Sequence, residues 1–178
     1  FPGAYALMAR AYFEEYGGSK AELAEIAVKN HENAIPNEYA QMQQEITVED
    51  ALDAPIIADP LGLYDSCPIT DGATAAVLVS EEYAADHDLD TGVAITGSGQ
   101  GGDKMALHDR QYLARTPATE DAADEAYDDA GIGPDAVDFL EVHDCFTIAE
   151  VLALEGLGLY EPGEAIGAAG RGETTREG

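Results

Sequence analysis

The sequence predicts an α/β fold, and three observations support that prediction. Apolar runs that suit buried strands recur along residues 61–178, and helical stretches separate them. Residues 1–60 instead combine helical segments with a loop-rich stretch. Hydrophobic residues make up 46% of the 178-residue chain, which is enough apolar material for a buried core. The chain therefore divides into a helical segment and an α/β segment.

Apolar spacing and capping residues predict the helices of the first segment. Residues 4–16 carry aromatic and apolar side chains at helical spacing. Ser19 followed by Glu22 is the pattern of a capping box, which predicts that a second helix starts there. The apolar positions expected to be buried on it are Leu23, Ile26 and Ala27. A short third helix is expected where Thr47 precedes Asp50 by three positions.

Three apolar runs predict the strands of the α/β segment. The predicted strands are residues 73–79, 93–96 and 137–142. Because the first run is apolar without alternation, we expect it to be buried on both faces. The predicted helices are 81–87, capped by Ser80, a helix from Thr119 to Gly131, and 147–157. Strand and helix in alternation are typical of an α/β unit.

The charge balance restricts the partners. The chain has 36 Asp and Glu residues against 8 Lys and Arg residues, a formal net charge of −28. These acids recur along the whole length instead of forming one tail, which indicates a solvated acidic shell and favours a halophilic protein. Basic residues are too few to neutralise a row of nucleic-acid phosphates. No run approaches the roughly 18 apolar residues of a membrane span, so a membrane partner is not expected.

Cysteine usage suggests the compartment. Two cysteines, Cys67 and Cys145, do not make a disulfide framework and suit a reducing cytoplasm. The first residues lack the basic, apolar and small-residue pattern of a secretory leader. We therefore expect a cytoplasmic protein.

Two ligand-binding patterns occur in incomplete form. Gly97, Gly99 and Gly102 match the dinucleotide pattern G-x-G-x-x-G, but no clean helical stripe follows, so a glycine-rich turn is the favoured interpretation. Residues 86–90 resemble the start of a calcium loop, yet they lack the required glycine and closing glutamate. The four histidines are scattered and no Cys or His pair has a ligand spacing. We expect no metal site.

Two polar segments beside the predicted strands are the candidate sites. Residues 143–146, His-Asp-Cys-Phe, stand where a strand gives way to a helix, the usual place for chemistry in α/β units. His143 there could donate a hydrogen bond to a developing oxyanion, and a structural turn fits equally well. A nucleophile–base pair of Cys145 and His143 lacks a third, orienting group. At residues 65–72 a turn is favoured over a ligand channel, because no basic neighbour activates Cys67.

Taken together and in this order, the two segments resemble the thiolase superfamily. The subgroups that they resemble are the sterol-carrier-protein type thiolases and the archaeal acetoacetyl-CoA thiolases. Residues 67–80 are similar to the family segment that enters the C-terminal half, and residues 141–150 to the His-Asp-Cys-Phe signature. Residues 28–34 and 171–174 also have counterparts in the family. The resemblance covers almost the whole chain.

The resemblance implies roles for three residues. His143 would help to hold a water in the oxyanion hole for the acetyl-CoA enolate. Phe146 would lie along the wall of the acyl pocket, and Cys67 would stand against the pantetheine arm. The family's nucleophilic cysteine, Gly-His-Pro histidine and C-terminal Cys-x-Gly cysteine have no counterpart in the 178 residues. We therefore expect an internal fragment that is inactive alone.

The resemblance also implies a fold and an activity. Residues 1–60 would end the loop domain, and residues 61–178 would form the front of the C-terminal half of a five-layer αβαβα architecture. The implied activity is acyl-CoA C-acetyltransferase, which performs Claisen condensation or thiolysis on CoA thioesters without a cofactor. Implied partners are a second copy, as dimer or tetramer, and 3-hydroxy-3-methylglutaryl-CoA synthase with a small OB-fold protein, in mevalonate synthesis. The alternative is a lipid- or acyl-CoA-binding protein of the same fold without catalysis.

Overall fold

The computed structural model of the chain describes residues 1–176, and its regular secondary structure is mainly helical. The helices are α1 (Pro2–Tyr16), α2 (Lys20–Ala34), α3 (Val48–Asp53), α4 (Glu81–Asp86), α5 (Pro117–Ala130) and α6 (Thr147–Gly156). Single turns of 3-10 helix occur at Leu63–Asp65, Leu107–Asp109, Pro134–Ala136 and Ala165–Gly167. Strands β1 (Ile56–Ala58) and β2 (Leu61–Gly62) pair antiparallel, and they form the only sheet within residues 1–176. None of these helices is long and apolar enough to cross a bilayer.

The three predicted helices of the first segment are confirmed. Helix α1 ends at Gly17, which has φ +89° and so favours glycine. The hydroxyl of Ser19 accepts a hydrogen bond from the Ala21 amide at 3.2 Å, so the cap of α2 forms without the full reciprocal box. The full box forms at Thr47, whose side chain and amide exchange hydrogen bonds with Asp50.

The core lies between α1, α2 and α6. Its apolar side chains include the predicted Leu23, Ile26 and Ala27 of α2. Helices α1 and α6 add residues at helical spacing, and the turn at Ala165–Gly167 closes one end. The largest fully buried side chains are Tyr12, Leu23, Ile26, Leu61, Ile148 and Val151. Burial of these faces supplies most of the stabilisation that helical propensity alone would not.

One half-buried carboxylate, that of Glu155, connects α1, α6 and the following turn. The hydroxyl of Tyr12 donates to Glu155 at 2.5 Å. The same carboxylate oxygen accepts from the amides of Gly163 and Ala165, at 3.0 and 3.2 Å. Burial raises the pKa of Glu155, against the lowering effect of these hydrogen bonds.

The three predicted strands are not strands in the structure. Residues 73–79, 93–96 and 137–142 form no backbone hydrogen bond to one another within residues 1–176. The apolar side chains of residues 73–79 are exposed, with Val77 at 91%, whereas in residues 137–142 Phe139 is 82% exposed and Leu140 packs partly against the core. The prediction that residues 73–79 are buried is therefore wrong for this chain. A strand needs a neighbour for its backbone groups, and the described residues supply none to these segments.

The helices of the second segment match the prediction closely. Ser80 caps α4 by accepting a hydrogen bond from the Tyr83 amide at 3.1 Å. The N-cap of helix α5 is Thr116, three residues before the predicted cap Thr119, and Pro117 takes the first helical position. It ends as predicted at Gly131, which adopts the left-handed conformation with φ +69°.

The glycine-rich tract packs against α5 and does not open a helix. A Cβ on Gly97, Gly99 or Gly101 would fall on a backbone carbonyl oxygen of α5, at Ala126, Ala122 and Ala118 in turn. The amides between these glycines donate to α5 acids: Ser98 to Asp129 at 3.3 Å and Gln100 to Glu125 at 2.9 Å. The glycines therefore permit close approach of an extended segment to a helix, where the sequence favoured a turn.

Candidate functional site

The two candidate segments, far apart in the chain, lie side by side. The amide of Cys67 donates to the carbonyl oxygen of Cys145 at 3.1 Å. One position away, Ser66 and Phe146 form an isolated antiparallel bridge. The structure thus joins the segment before residue 73 to the start of α6. The sequence placed one segment before the predicted strand 73–79 and the other after the predicted strand 137–142, but it did not predict this pairing.

The buried Asp65 stabilises the contact between the two segments. Asp65 is 5% exposed and accepts a hydrogen bond from the Thr147 hydroxyl at 2.8 Å. Its other carboxylate oxygen accepts from the Gly62 amide at 2.7 Å. Each oxygen of this buried charge therefore has a partner, as burial of a carboxylate requires.

A second polar cluster holds the turn that carries His143. Lys29 Nζ lies 2.5 Å from Glu150 Oε1, and their side chains are only 11% and 4% exposed. Asn30 Nδ2 donates to Asp144 Oδ2 at 2.6 Å and, less directly, to Glu150 Oε2 at 3.4 Å. Helix α2 thereby holds Asp144, the residue next to His143, by a hydrogen bond. The one available sequence signal was Glu150 itself, a charge on the apolar face of a predicted helix.

His143 is exposed and lines a cavity of about 550 Å³. Tyr5 and Met8 of α1 form one wall of this cavity, and α5 and α6 form another. Arg110, which lies 3.6 Å from Asp103, is the basic side chain in the lining within the described residues. The cavity therefore combines an apolar wall, an imidazole and a paired cation.

Phe146 is buried and lies against α1. Its ring packs on that of Tyr5 with a centroid distance of 4.6 Å and a tilt of 30°. A side-chain hydrogen bond with Cys145, followed by burial, raises the pKa of Tyr5 to about 12. Phe146 is 6% exposed and lines neither neighbouring cavity.

Cys67 lies on a different side of the contact from His143. It is exposed and lines a separate cavity of about 300 Å³, together with Asp144 and Thr147. The structure thus brings the segments of His143 and Cys67 together through their backbones but places their side chains in separate cavities. The roles that the resemblance assigns to His143, Cys67 and Phe146 stay predictions.

Two family profiles match this chain. "Thiolase, N-terminal domain" matches residues 3–82, and "Thiolase C-terminal domain-like" matches residues 99–178. Together they cover both candidate segments and the helices that hold them.

Relatives and a solved structure show the same likeness. The chain is 44% identical over 164 residues to an acetyl-CoA acetyltransferase of Methanothermobacter thermautotrophicus, covering 92% of this chain and 43% of that protein. It is 30% identical to sterol carrier protein 2 of Rattus norvegicus, covering 98% of this chain and 32% of that protein. An Ltp2–ChsH2(DUF35) aldolase structure superposes with a TM-score of 0.89 at 31% identity, over 97% of this chain and 46% of that chain. The chain thus spans less than half the length of these proteins.

Proposed function

Because this chain belongs to the thiolase superfamily, we propose that the full-length protein is an acyl-CoA C-acetyltransferase. It would catalyse Claisen condensation of acetyl-CoA, or the reverse thiolysis of 3-ketoacyl-CoA. The observation that carries the proposal is the paired contact of residues 65–67 with residues 145–147, close in the chain to His143, which lines a cavity. The chemistry needs such a fixed donor beside a thioester-sized space.

In this proposal, His143 stabilises the enolate of acetyl-CoA by donating a hydrogen bond. When acetyl-CoA loses a methyl proton, charge develops on the thioester oxygen, and a preorganised N–H donor stabilises that charge. Asn30 holds Asp144 and so limits the movement of the neighbouring imidazole. The cavity offers Arg110 as a cation for an anionic CoA thioester.

Completion of the site needs residues that the 178 positions do not contain. By the family pattern these are a nucleophilic cysteine, the histidine of Gly-His-Pro and a second cysteine in Cys-x-Gly. The extended segments 73–79, 93–96 and 137–142 pair with strands from the remainder of that protein, in a five-layer αβαβα architecture. Residues 1–60 belong to its loop domain and residues 61–178 to its C-terminal half.

Partners and setting follow from the same proposal. The protein acts in the cytoplasm as a homo-oligomer, in contact with 3-hydroxy-3-methylglutaryl-CoA synthase and a small OB-fold protein, and supplies mevalonate synthesis. The net charge of −28 supports work in concentrated salt, where screening removes the self-repulsion of the acidic shell. CoA thioesters are its substrates and no cofactor is required.

Two other functions have a specific observation behind them. The likeness to sterol carrier protein 2 favours lipid or acyl-CoA binding without catalysis. The TM-score of 0.89 with an aldolase favours carbon–carbon cleavage of the aldol type, which also passes through an enolate that His143 could stabilise. A nucleophilic cysteine in the full-length protein distinguishes the acetyltransferase from both.

The test is His143→Ala in the full-length protein. Loss of an oxyanion-hole donor should slow acetyl-CoA condensation by about 10² or more. His87→Ala, which removes an exposed imidazole next to α4, is the matched control and should change the rate less than about twofold. An acyl-CoA that binds without turnover would favour the non-catalytic protein. A His143→Ala rate equal to that of the control would reject the assigned role.

A further inference from the structure

The two cysteines face each other across the contact between the candidate segments. An antiparallel register that sets Ser66 opposite Phe146 sets Cys67 opposite Cys145, because the paired positions move in opposite directions. The hydrogen bond from the Cys67 amide to the Cys145 carbonyl oxygen, at 3.1 Å, agrees with that register.

A neighbouring pair shows that facing side chains meet on this face. The same register sets Asp65 opposite Thr147, and the hydroxyl of Thr147 donates to the Asp65 carboxylate at 2.8 Å. Side chains two positions apart in an extended segment point to the same face. Cys67 and Cys145 therefore lie next to a pair that is already in side-chain contact.

The expected spacing suits a covalent bond between the thiols. Facing residues in a hydrogen-bonded antiparallel pair have Cα atoms about 5.5 Å apart, within the roughly 4.4–6.8 Å seen for disulfides. Cβ atoms of facing residues are in general about 4.5–5.5 Å apart, so a disulfide would require the two Cβ atoms to approach by roughly 1 Å. Because the bridge is isolated and not part of a longer ladder, few hydrogen bonds oppose that movement.

We propose that Cys67 and Cys145 are a redox modification site that closes to a disulfide by exchange with a small disulfide, RSSR. Exposed Cys67 attacks one sulfur of RSSR as the thiolate and releases RS⁻, which takes up a proton as RSH. Half-buried Cys145 then attacks the Cys67 sulfur as the thiolate and releases the second RSH. Two protein thiols are oxidised and one RSSR is reduced to two thiols.

The disulfide would act on the turn that carries His143. It would tie residues 143–146 covalently to residue 67. Insofar as this consequence rests on the proposed function, oxidation should lower condensation activity and dithiothreitol should restore it. The bond itself does not depend on that function.

The test treats the full-length protein with glutathione disulfide, blocks free thiols and digests with trypsin. Cleavage after Lys104, Arg110 and Arg115 separates the two cysteines unless a disulfide joins them. We expect one linked peptide pair, containing Cys67 and Cys145, which dithiothreitol releases. Its appearance is measured by mass and so is independent of any activity.

Two conservative variants identify the order of attack. In Cys145→Ser, the reaction should stop with one glutathione on Cys67. In Cys67→Ser, no linked pair should form and Cys145 should stay a free thiol. Complete alkylation of both cysteines in the oxidised wild type, or a persistent glutathione adduct on Cys67, would overturn the proposal. A linked pair in a protein without condensation activity would uphold it and count against the proposed function alone.

Discussion

The helical region and the extended segments are both apolar in sequence, yet they differ strongly in burial. Val151 of α6 is 0% exposed, whereas Val77 and Val93 are 91% and 84% exposed. A helix satisfies its own backbone and needs only one covered face. A strand needs neighbours along its edges and a cover on its faces. Apolar composition therefore identified which segments require burial, and the helices find more of it within residues 1–176 than residues 73–79 and 93–96 do.

Two ion pairs within the helix-containing part of the chain also differ in burial. The helical region encloses Lys29 and Glu150 almost entirely, whereas the pair of Arg10 and Asp59, at 3.1 Å, is 64% and 74% exposed. A buried pair lies in a medium that solvates an unpaired charge poorly, so each partner depends on the other. An exposed pair is solvated and screened.

The largest expected effect comes from breaking the buried pair. Glu150→Gln removes the negative charge beside Lys29 and should lower the free energy of unfolding by about 3–5 kcal/mol. Arg10→Gln, at the exposed pair, should change it by less than about 1 kcal/mol. Denaturant titration of the full-length variants measures both. Equal losses in the two variants would show that the Lys29–Glu150 pair is not enclosed.

The double variant Lys29→Met with Glu150→Leu separates packing from charge. Because it leaves no unpaired charge, it should recover most of the stability that Glu150→Gln loses. If the double variant is as unstable as Glu150→Gln, the cluster contributes through shape and not through charge.

The second largest effect is expected at the contact between the glycine-rich residues 97–101 and α5. Gly99→Ala places a methyl group on the carbonyl oxygen of Ala122, so the segment must move away, at a cost of about 1–3 kcal/mol. Gly102→Ala is the matched control, since nothing lies within 4 Å of its added carbon. Thermal unfolding of both variants decides the point. A loss in Gly102→Ala as large as in Gly99→Ala would mean that the tract does not lie against α5.

Helices were predictable because their signals are local. Ser80, Thr47 and Gly131 each mark a helix end through a backbone group only a few residues away. The N-cap of α5 was predicted three residues late, at Thr119 instead of Thr116, because Pro117 at the first turn is as good a signal as Thr119. Such errors stay within one helical turn.

Contacts between distant segments were not predictable in the same way. Residue types marked segments 65–72 and 143–146 as candidates, but nothing local indicates that Cys67 would pair with Cys145 or that Asn30 would hold Asp144. The ion pair of Lys29 and Glu150 likewise joins positions 121 residues apart. The prediction that residues 73–79 form a buried strand was wrong for a related reason. A strand forms only where another segment accepts and donates its backbone hydrogen bonds, and the sequence of one segment does not show where that partner lies.

The smallest expected effect compares directly the burial of a side chain in the helical region with the burial of one in an extended segment. Ile148→Val on α6 removes one methylene from a fully buried side chain and should cost about 0.5–1.5 kcal/mol. Ile95→Val makes the same change at a side chain that is 71% exposed in this chain. In the full-length protein we expect an equal cost, because the proposed strand partners would cover residues 93–96. Unfolding titrations of both variants in that protein provide the comparison. A cost at Ile148 with none at Ile95 would show that the segment stays in solvent, and that the sheet is not completed as proposed.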